Sequence, residues 1–192
     1  MTGHLREGTP PVLYLPCRAG SDLGETPQMV RRTTRDGRAA VVAYTALDRL
    51  HGGCGAGHSW ALLSLHQLQE LHAHEPYDVV HLDLVMPEGL QVPAAGAGAG
   101  EPASLPPVLY VPCIAHVARL EDAALEYIRG QDGLVGLPVF TSLDRLHAGM
   151  GAGQPWLLVE TSRLGAVHAL APYDRLLLDE RITVTATEGS WA

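Results

Sequence analysis

The sequence has no lysine and no asparagine, one phenylalanine, and only 5% aromatic residues among its 192. All 13 basic residues are therefore arginine, and 21 acidic residues give a formal net charge of −8. Lysine and asparagine both have A-rich codons, so we ascribe their absence to a GC-rich genome and not to a need for guanidinium groups. Nucleic acids and acidic membranes bind to a basic face. The charge balance therefore predicts a protein that binds neither.

Long apolar runs and paired cysteines are also missing. No stretch approaches the roughly 20 apolar residues that span a bilayer, and the polar start of the chain does not resemble a secretory signal. Cys17, Cys54 and Cys113 are too few, and odd in number, for a disulfide framework. We therefore expect a soluble, cytoplasmic protein with reduced thiols. Its hydrophobic content of 46% is enough for one compact domain or two small ones.

The chain repeats itself with an offset of 96 residues. PPVLYLPC at 10–17 aligns with PPVLYVPC at 106–113, and TALDRLH at 45–51 aligns with TSLDRLH at 141–147. About 31 of 76 ungapped positions are identical, far more than shared composition would produce. We predict two homologous modules, 8–86 and 106–183, arranged as a pseudo-two-fold tandem repeat. A Gly/Ala/Pro-rich linker at 87–105 joins them, and a tail at 184–192 follows.

Each module is expected to be an α/β (α+β) domain with the element order β-β-α-β-α-β, in which helices cover a mixed sheet. The apolar spacing of Leu120, Ala124 and Ile128 predicts an additional helix over Leu120–Arg129 of the second module. Thr45 and Thr141 stand where helix N-caps belong, three residues before Asp48 and Asp144. The closing strands are expected at 79–85 and 175–182.

One segment of the second module carries a family resemblance. LPVFTSLDRL at 137–146, followed by GQPW at 153–156, resembles the N-terminal domain of SseB. The whole chain is similar to small actinobacterial proteins that contain this domain. The first module departs from the pattern at Tyr44, Ala46 and His58-Ser59. The resemblance implies a fold and brings no established catalytic residue with it.

The polar residues that recur in both modules are the candidates for a site. An acid or base, a metal ligand or a structural contact would each use these residue types. Arg49 and Arg145 are the one arginine pair that aligns across the repeat. We expect Arg49 to contact Asp78 or Asp83, and Arg145 to contact the counterpart of one of these aspartates in the second module. Aromatic side chains that also recur are candidate interface anchors. The candidate polar residues are Asp48, Arg49, His51, Asp83, Asp144, Arg145, His147 and Asp179, and the aromatic candidates are Trp60, Tyr77, Trp156 and Tyr173.

Several motifs admit both a chemical and a structural interpretation. The Gly-rich runs at 53–57 and 149–153 follow a helix instead of preceding one, so they favour a helix-terminating loop over a phosphate cradle. His51 and Cys54 have a metal-like spacing, but Met150 replaces the thiol in the second module. Cys17 and Cys113 are either reactive thiols or buried packing residues, with the second favoured. We expect no catalytic residue, no cofactor and no metal.

Two classes of function remain. The favoured hypothesis is a non-enzymatic protein-interaction or regulatory scaffold with an unknown protein partner, which could also form a homo-oligomer. Its basis is that the repeated residues are mostly fold determinants such as prolines, glycines and leucines. The alternative is a small-molecule- or metal-dependent enzyme with a site at the module junction. Its site would draw on Cys17, Cys113, Asp83, Asp179, His51 and His147.

Overall fold

The chain divides between Ser104 and Leu105 into two units in the computed structural model, which describes residues 9–17, 29–85 and 105–182. We call them unit 1 and unit 2. The predicted linker, 87–105, lies outside the described residues apart from Leu105, and the predicted tail, 184–192, lies outside them entirely.

Unit 1 follows the predicted order of strands and helices, with one short strand added. Its elements are β1 (Val12–Pro16), β2 (Arg31–Thr33), β3 (Ala39–Ala43), α1 (Leu47–Cys54), β4 (Trp60–Ser64), α2 (Leu65–His74) and β5 (Val79–Leu82).

Its strands form two small sheets joined by a bridge. β1 pairs antiparallel with β4, while β3 pairs antiparallel with β2 and parallel with β5. Tyr14 and Tyr44 exchange both backbone hydrogen bonds, at 2.9 and 2.8 Å, and so connect β1 to the end of β3. The predicted mixed arrangement of strands is confirmed.

The core of unit 1 lies between these strands and α2. Leu68 and Leu71 of α2 pack with Val41 and Ala43 of β3. The helix begins at a capping box, in which the Ser64 hydroxyl accepts from the Gln67 N–H and the Gln67 side chain accepts from the Ser64 N–H. Local capping and an apolar face therefore fix both the start and the orientation of α2.

Unit 2 has the same order and the same pairings. β6 pairs antiparallel with β9, and β8 pairs antiparallel with β7 and parallel with β10. These elements are β6 (Val108–Pro112), β7 (Ile128–Arg129), β8 (Val135–Val139), α3 (Leu143–Met150), β9 (Trp156–Glu160), α4 (Leu164–Leu170) and β10 (Arg175–Leu178), with short 3₁₀ helices at Leu120–Asp122 and Thr161–Arg163.

The predicted helix over Leu120–Arg129 is wrong. A 3₁₀ turn at Leu120–Asp122 is followed by extended chain, in which Leu125 bridges Cys113 and Ile128 pairs with Gly136. Pairing with distant strands outweighs the local helical spacing, because each pairing hydrogen-bonds the backbone N–H and C=O groups and also buries a side chain.

Two predictions about element ends are also wrong. The N-caps of α1 and α3 are Ala46 and Ser142, without a side-chain cap bond, and not Thr45 and Thr141. The closing strands stop at Leu82 and Leu178, short of residues 85 and 182. Across the described ranges, every helix is too short or too polar to cross a bilayer.

Candidate functional site

Two of the repeated polar residues of unit 1, Arg49 and Asp83, meet Thr45 where β5 ends. Asp83 has a φ of 54°, a left-handed conformation that aspartate tolerates better than most residues. One carboxylate oxygen of Asp83 accepts the Thr45 N–H at 2.9 Å, and the other accepts the Thr45 hydroxyl at 2.7 Å. Arg49 donates to the second oxygen at 3.0 Å and also to the Thr45 hydroxyl. The contact predicted for Arg49 is confirmed, and its partner is Asp83.

Unit 2 contains the same arrangement. Asp179 has a φ of 53° and accepts the Thr141 N–H at 2.9 Å and the Thr141 hydroxyl at 2.7 Å. Arg145 donates to Asp179 at 3.1 Å and also to the Thr141 hydroxyl. We call each set of three residues a Thr–Arg–Asp cluster. Each cluster ties the start of a helix to the end of the closing strand.

The Thr–Arg–Asp clusters are built for structure. One Asp83 oxygen accepts the Thr45 N–H and the other accepts from both the Thr45 hydroxyl and Arg49. The Arg49 and Asp83 side chains are only 28% and 30% exposed. A general base needs a lone pair directed at its substrate, and a nucleophilic hydroxyl needs a base that is free to take its proton. In the clusters these groups are already engaged with one another.

Asp78 is the other aspartate considered as a partner of Arg49, and it has a different role. Its carboxylate accepts the Ala39 N–H at 2.8 Å, and Asp174 accepts the Val135 N–H at 2.7 Å in unit 2. These bonds fix the start of β3 and of β8 beside the strand that pairs with each. They are structural bonds of the fold.

The repeated charged residues of the helices lie at the ends that suit their charge. Asp48 and Asp144 are in the first turns of α1 and α3, while His51 and His147 are in the last turns. Acidic groups near a helix N-terminus and basic groups near a C-terminus interact favourably with the helix dipole. This placement accounts for the repetition of all four residues without a ligand.

The candidate interface aromatics pack inside their own units. Trp60 meets the Tyr14 ring edge-on at 5.5 Å, and Trp156 meets the Tyr110 ring at 5.2 Å. Tyr77 donates to the Leu68 carbonyl, and Tyr173 donates to the Leu164 carbonyl. All four residues are partly exposed, so a role at an interface stays a prediction.

The repeated thiols are buried. Cys17 is 5% exposed and Cys113 is not exposed, and each donates to a carbonyl two residues earlier in its own strand. Burial raises the pKa of both thiols, and Glu126 raises that of Cys113 further. A nucleophilic cysteine needs the opposite shift, because the thiolate is the reactive form.

The glycine-rich loops end helices, as predicted. Gly55 and Gly151 follow α1 and α3 with φ values of 102° and 103°, and their N–H groups donate to His51 and His147 carbonyls. The loops therefore meet the negative ends of the helix dipoles, which repel phosphate. Among the described residues, no three His, Cys, Asp or Glu side chains are close enough to hold a metal ion.

Unit 1 has a polar cluster where unit 2 is apolar. The Tyr44 hydroxyl lies 3.2 Å from the Cys54 sulfur and donates to the Leu84 carbonyl at 2.6 Å. Burial raises the pKa of the Cys54 thiol, although its hydrogen bond with Tyr44 and the charge of Arg32 act in the opposite direction. The counterparts of these three side chains, Tyr44, Cys54 and Arg32, are Phe140, Met150 and Ile128.

His58 is the other polar residue buried only in unit 1. Its side chain is 8% exposed, and its Nε2 has no hydrogen-bond partner in the part of the chain that the structure describes. Burial, and to a lesser extent the nearby His51, lowers the pKa of His58. Its counterpart Gln154 donates to the Cys113 carbonyl at 2.8 Å.

Comparison with known proteins identifies one part of the chain. Residues 105–187 match the family model of the SseB protein N-terminal domain. The resemblance of LPVFTSLDRL to that domain is therefore confirmed for unit 2. No curated protein and no solved structure matches the chain.

The SseB match places the unit 2 cluster inside a recognised domain. Thr141, Arg145 and Asp179 all fall within the matched range, as does the whole described part of unit 2. Sequence reasoning found the residues of this cluster but missed the Tyr44–Cys54 contact of unit 1. The available signal was that two aligned positions, 44 and 54, hold Tyr and Cys in unit 1, whereas unit 2 has Phe140 and Met150.

Proposed function

We propose that this chain is a non-enzymatic tandem protein, whose two units arose by duplication of an SseB-like module and which serves as a protein-interaction or regulatory scaffold. The family match supports the assignment for unit 2, and the common element order, strand register and Thr–Arg–Asp clusters support it for unit 1. We further propose that the protein acts in the cytoplasm, where its three buried thiols stay reduced.

The single observation that carries the scaffold proposal is that repeated polar residues hydrogen-bond to one another within each unit. Thr45, Arg49 and Asp83 bond to one another in unit 1, and their counterparts do the same in unit 2. An enzyme that kept two copies of its machinery would direct these groups toward a substrate. Their pairing leaves surfaces and strand edges as the features available for function.

Exposed apolar side chains support this proposal further. Leu82 and Leu178 occupy equivalent positions at the ends of β5 and β10, and both are 42% exposed. Leu84 and Val85 extend the apolar surface beyond β5, and Val85 is 73% exposed. Large apolar groups that gather at a strand end are typical of surfaces that contact other proteins.

The test combines pull-down with native mass spectrometry of the full-length protein. The scaffold proposal predicts that tagged protein recovers a defined partner, that the purified pair re-forms the complex, and that the isolated chain has its bare polypeptide mass. A second bait carries Leu82→Asp and Val85→Asp, and loss of the partner from this bait would assign the contact to the apolar surface at the end of β5. A small molecule or metal retained in stoichiometric amount, with no partner recovered, would contradict the proposal and favour the enzyme alternative.

A further inference from the structure

β9 of unit 2 has one edge with no strand partner among the described residues. β9 pairs only with β6, and Leu158 lies opposite Tyr110. Tyr110 uses both of its backbone groups on Phe140, at 2.8 and 2.9 Å, on the side away from β9. In an antiparallel ladder the residue opposite such a position also points its N–H and C=O outward. Leu158 therefore offers one donor and one acceptor to the free edge.

A groove runs along this edge. It encloses about 240 Å³ and is lined by Leu157, Leu158 and Val159 of β9 and by three charged residues, Arg119, Glu121 and Arg163, which we call its rim. Drug-sized ligands occupy roughly 300–1,000 Å³, so the groove is small for a cofactor. It suits a short length of extended chain, which would bond to the strand edge at Leu158.

The rim has two guanidinium groups for one carboxylate. Arg163 donates to one oxygen of Glu121 at 3.0 Å, and Arg119 approaches the other at 3.4 Å. A guanidinium has five N–H donors, so both arginines retain donors for another acceptor. Their side chains are 49% and 73% exposed and can reorient toward a ligand. The lining of the groove therefore holds two arginines and one glutamate, although the whole chain has a net charge of −8.

The sequence of unit 1 lacks this rim. The positions that align with Arg119 and Arg163 are Leu23 and Gln67, whereas Glu121 aligns with Glu25. The strand edge itself is repeated, since Leu62 lies opposite Tyr14, which bonds to Tyr44 in the same way. The two arginines are thus what distinguishes unit 2, and unit 1 supplies natural substitutions for testing them.

We propose that the β9 groove of unit 2 binds an extended segment of a partner protein, which adds to the edge at Leu158 and places one aspartate or glutamate between Arg119 and Arg163. This inference rests on the proposed function and deepens it, because it names the class of partner and its position. A single carboxylate in an otherwise uncharged segment fits both the two lining arginines and the net charge of −8, since a strongly acidic segment would be repelled.

The experiment selects ligands and then maps them. Random eight-residue peptides displayed on phage are selected against the full-length protein, and enriched peptides are measured by fluorescence polarisation. We expect apolar or β-branched residues that alternate around one acidic residue. Replacing that acid with its amide should weaken binding about tenfold, the loss of one charge-assisted hydrogen bond. High salt should weaken binding in the same direction.

Variants of the protein assign the site. Arg119→Leu and Arg163→Gln, the residues of unit 1, should each weaken binding about three- to tenfold. Arg38→Leu is the matched control, because Arg38 pairs with Asp36 at 2.7 Å on an exposed part of unit 1. Arg38→Leu should leave binding unchanged. N-methylation along the peptide should abolish binding at alternate positions only, which is the signature of pairing with a strand edge.

Each other outcome overturns the inference in a distinct way. Enriched peptides that show no preference for an acidic residue would exclude this groove. Equal binding by all three arginine variants would exclude it as well. The scaffold proposal would still stand in either case if the pull-down recovers a partner. Failure of any peptide to be enriched also overturns it. A concentration-dependent dimer that free peptide dissociates would assign the groove to a second copy of the chain. Absence of a partner in the pull-down would defeat the scaffold proposal itself.

Discussion

The Arg49–Asp83 contact should contribute measurably to the stability of unit 1. Arg49→Ala removes hydrogen bonds to both Asp83 and Thr45, and leaves a partly buried carboxylate with only the donors of Thr45. Exposed ion pairs contribute about 0–1 kcal/mol and hydrogen bonds to charged groups about 1.5–3 kcal/mol. With side chains roughly a third exposed, we expect a loss of about 1–2 kcal/mol, and the same for Arg145→Ala in unit 2.

The assay is thermal unfolding of the full-length variants, with hydrogen exchange and mass spectrometry to show which unit is affected. For a domain of this size a loss of 1 kcal/mol lowers Tm by about 4–8 °C. Arg49→Ala should speed exchange around Thr45, whose N–H donates to Asp83, and leave the Thr141 region unchanged. Arg49→Lys should restore part of the loss because it keeps the charge but not the planar fork of donors.

A double-mutant cycle with Asp83→Asn separates the contact from other effects of truncating Arg49. We expect a coupling energy of about 0.5–2 kcal/mol between the two residues. Arg38→Ala is the control, since its ion pair with Asp36 is 56% and 57% exposed and should contribute below about 0.5 kcal/mol. Unchanged melting of both Arg49→Ala and Arg145→Ala would refute a structural role for the clusters.

Three further changes test the packing and the buried polar groups. A Cβ at Gly53 would lie 2.6 Å from the Tyr44 hydroxyl oxygen and 3.0 Å from the Leu84 carbonyl oxygen, so Gly53→Ala should cost about 1–3 kcal/mol in urea unfolding. Gly52→Ala, where nothing lies within 4 Å, should be neutral or stabilising, and equal effects of the two would contradict the packing. Tyr44→Phe removes the bond to the Leu84 carbonyl and should cost about 1 kcal/mol by the same assay, whereas an unchanged midpoint would rule out that bond. The pKa of His58 is lowered in the folded state. As pH falls through about 6.5, the unfolded chain therefore binds more protons at His58 than the folded chain does, and the free energy of unfolding should decline from pH 7.5 to 5.5. His58→Gln should flatten this decline, and parallel pH profiles for the two proteins would show that His58 does not cause it.

The repeat made much of the fold predictable from the sequence. The repeat with its offset of 96 residues located both helices and all but one strand of each unit, because local patterns occurring twice are unlikely to be accidental. The short strands β2 and β7 were not predicted. It also reduced thirteen arginines to the one aligned pair, Arg49 and Arg145, whose contacts the structure then supplied.

The errors arose where distant contacts decide the outcome. The spacing of Leu120, Ala124 and Ile128 suits a helix, yet Leu125 bridges Cys113 and Ile128 joins β8, and only the folded chain brings these partners together. Thr45 looked like an N-cap because its type and spacing fit, but its hydroxyl donates to Asp83, 38 residues away. Local sequence patterns predict helices and strands better than they predict the hydrogen-bond partner of a single polar side chain.

The groove beside β9 was beyond sequence reasoning for the same reason. Arg119 and Arg163 are separated by more than forty residues and meet only through Glu121. The free backbone groups of Leu158 follow from the ladder register, which no composition or periodicity reports. The comparison of units did hold one clue, since these arginines align with Leu23 and Gln67.

The central claim is that this protein works by binding another protein and not by catalysis. The most direct measurement is isothermal titration of the full-length chain with the purified partner recovered in the pull-down. We predict saturable binding by the wild-type protein, with binding by Arg163→Gln about three- to tenfold weaker. Absence of binding heat and of any complex by native mass spectrometry, together with a small molecule or metal retained by the chain, would contradict the account.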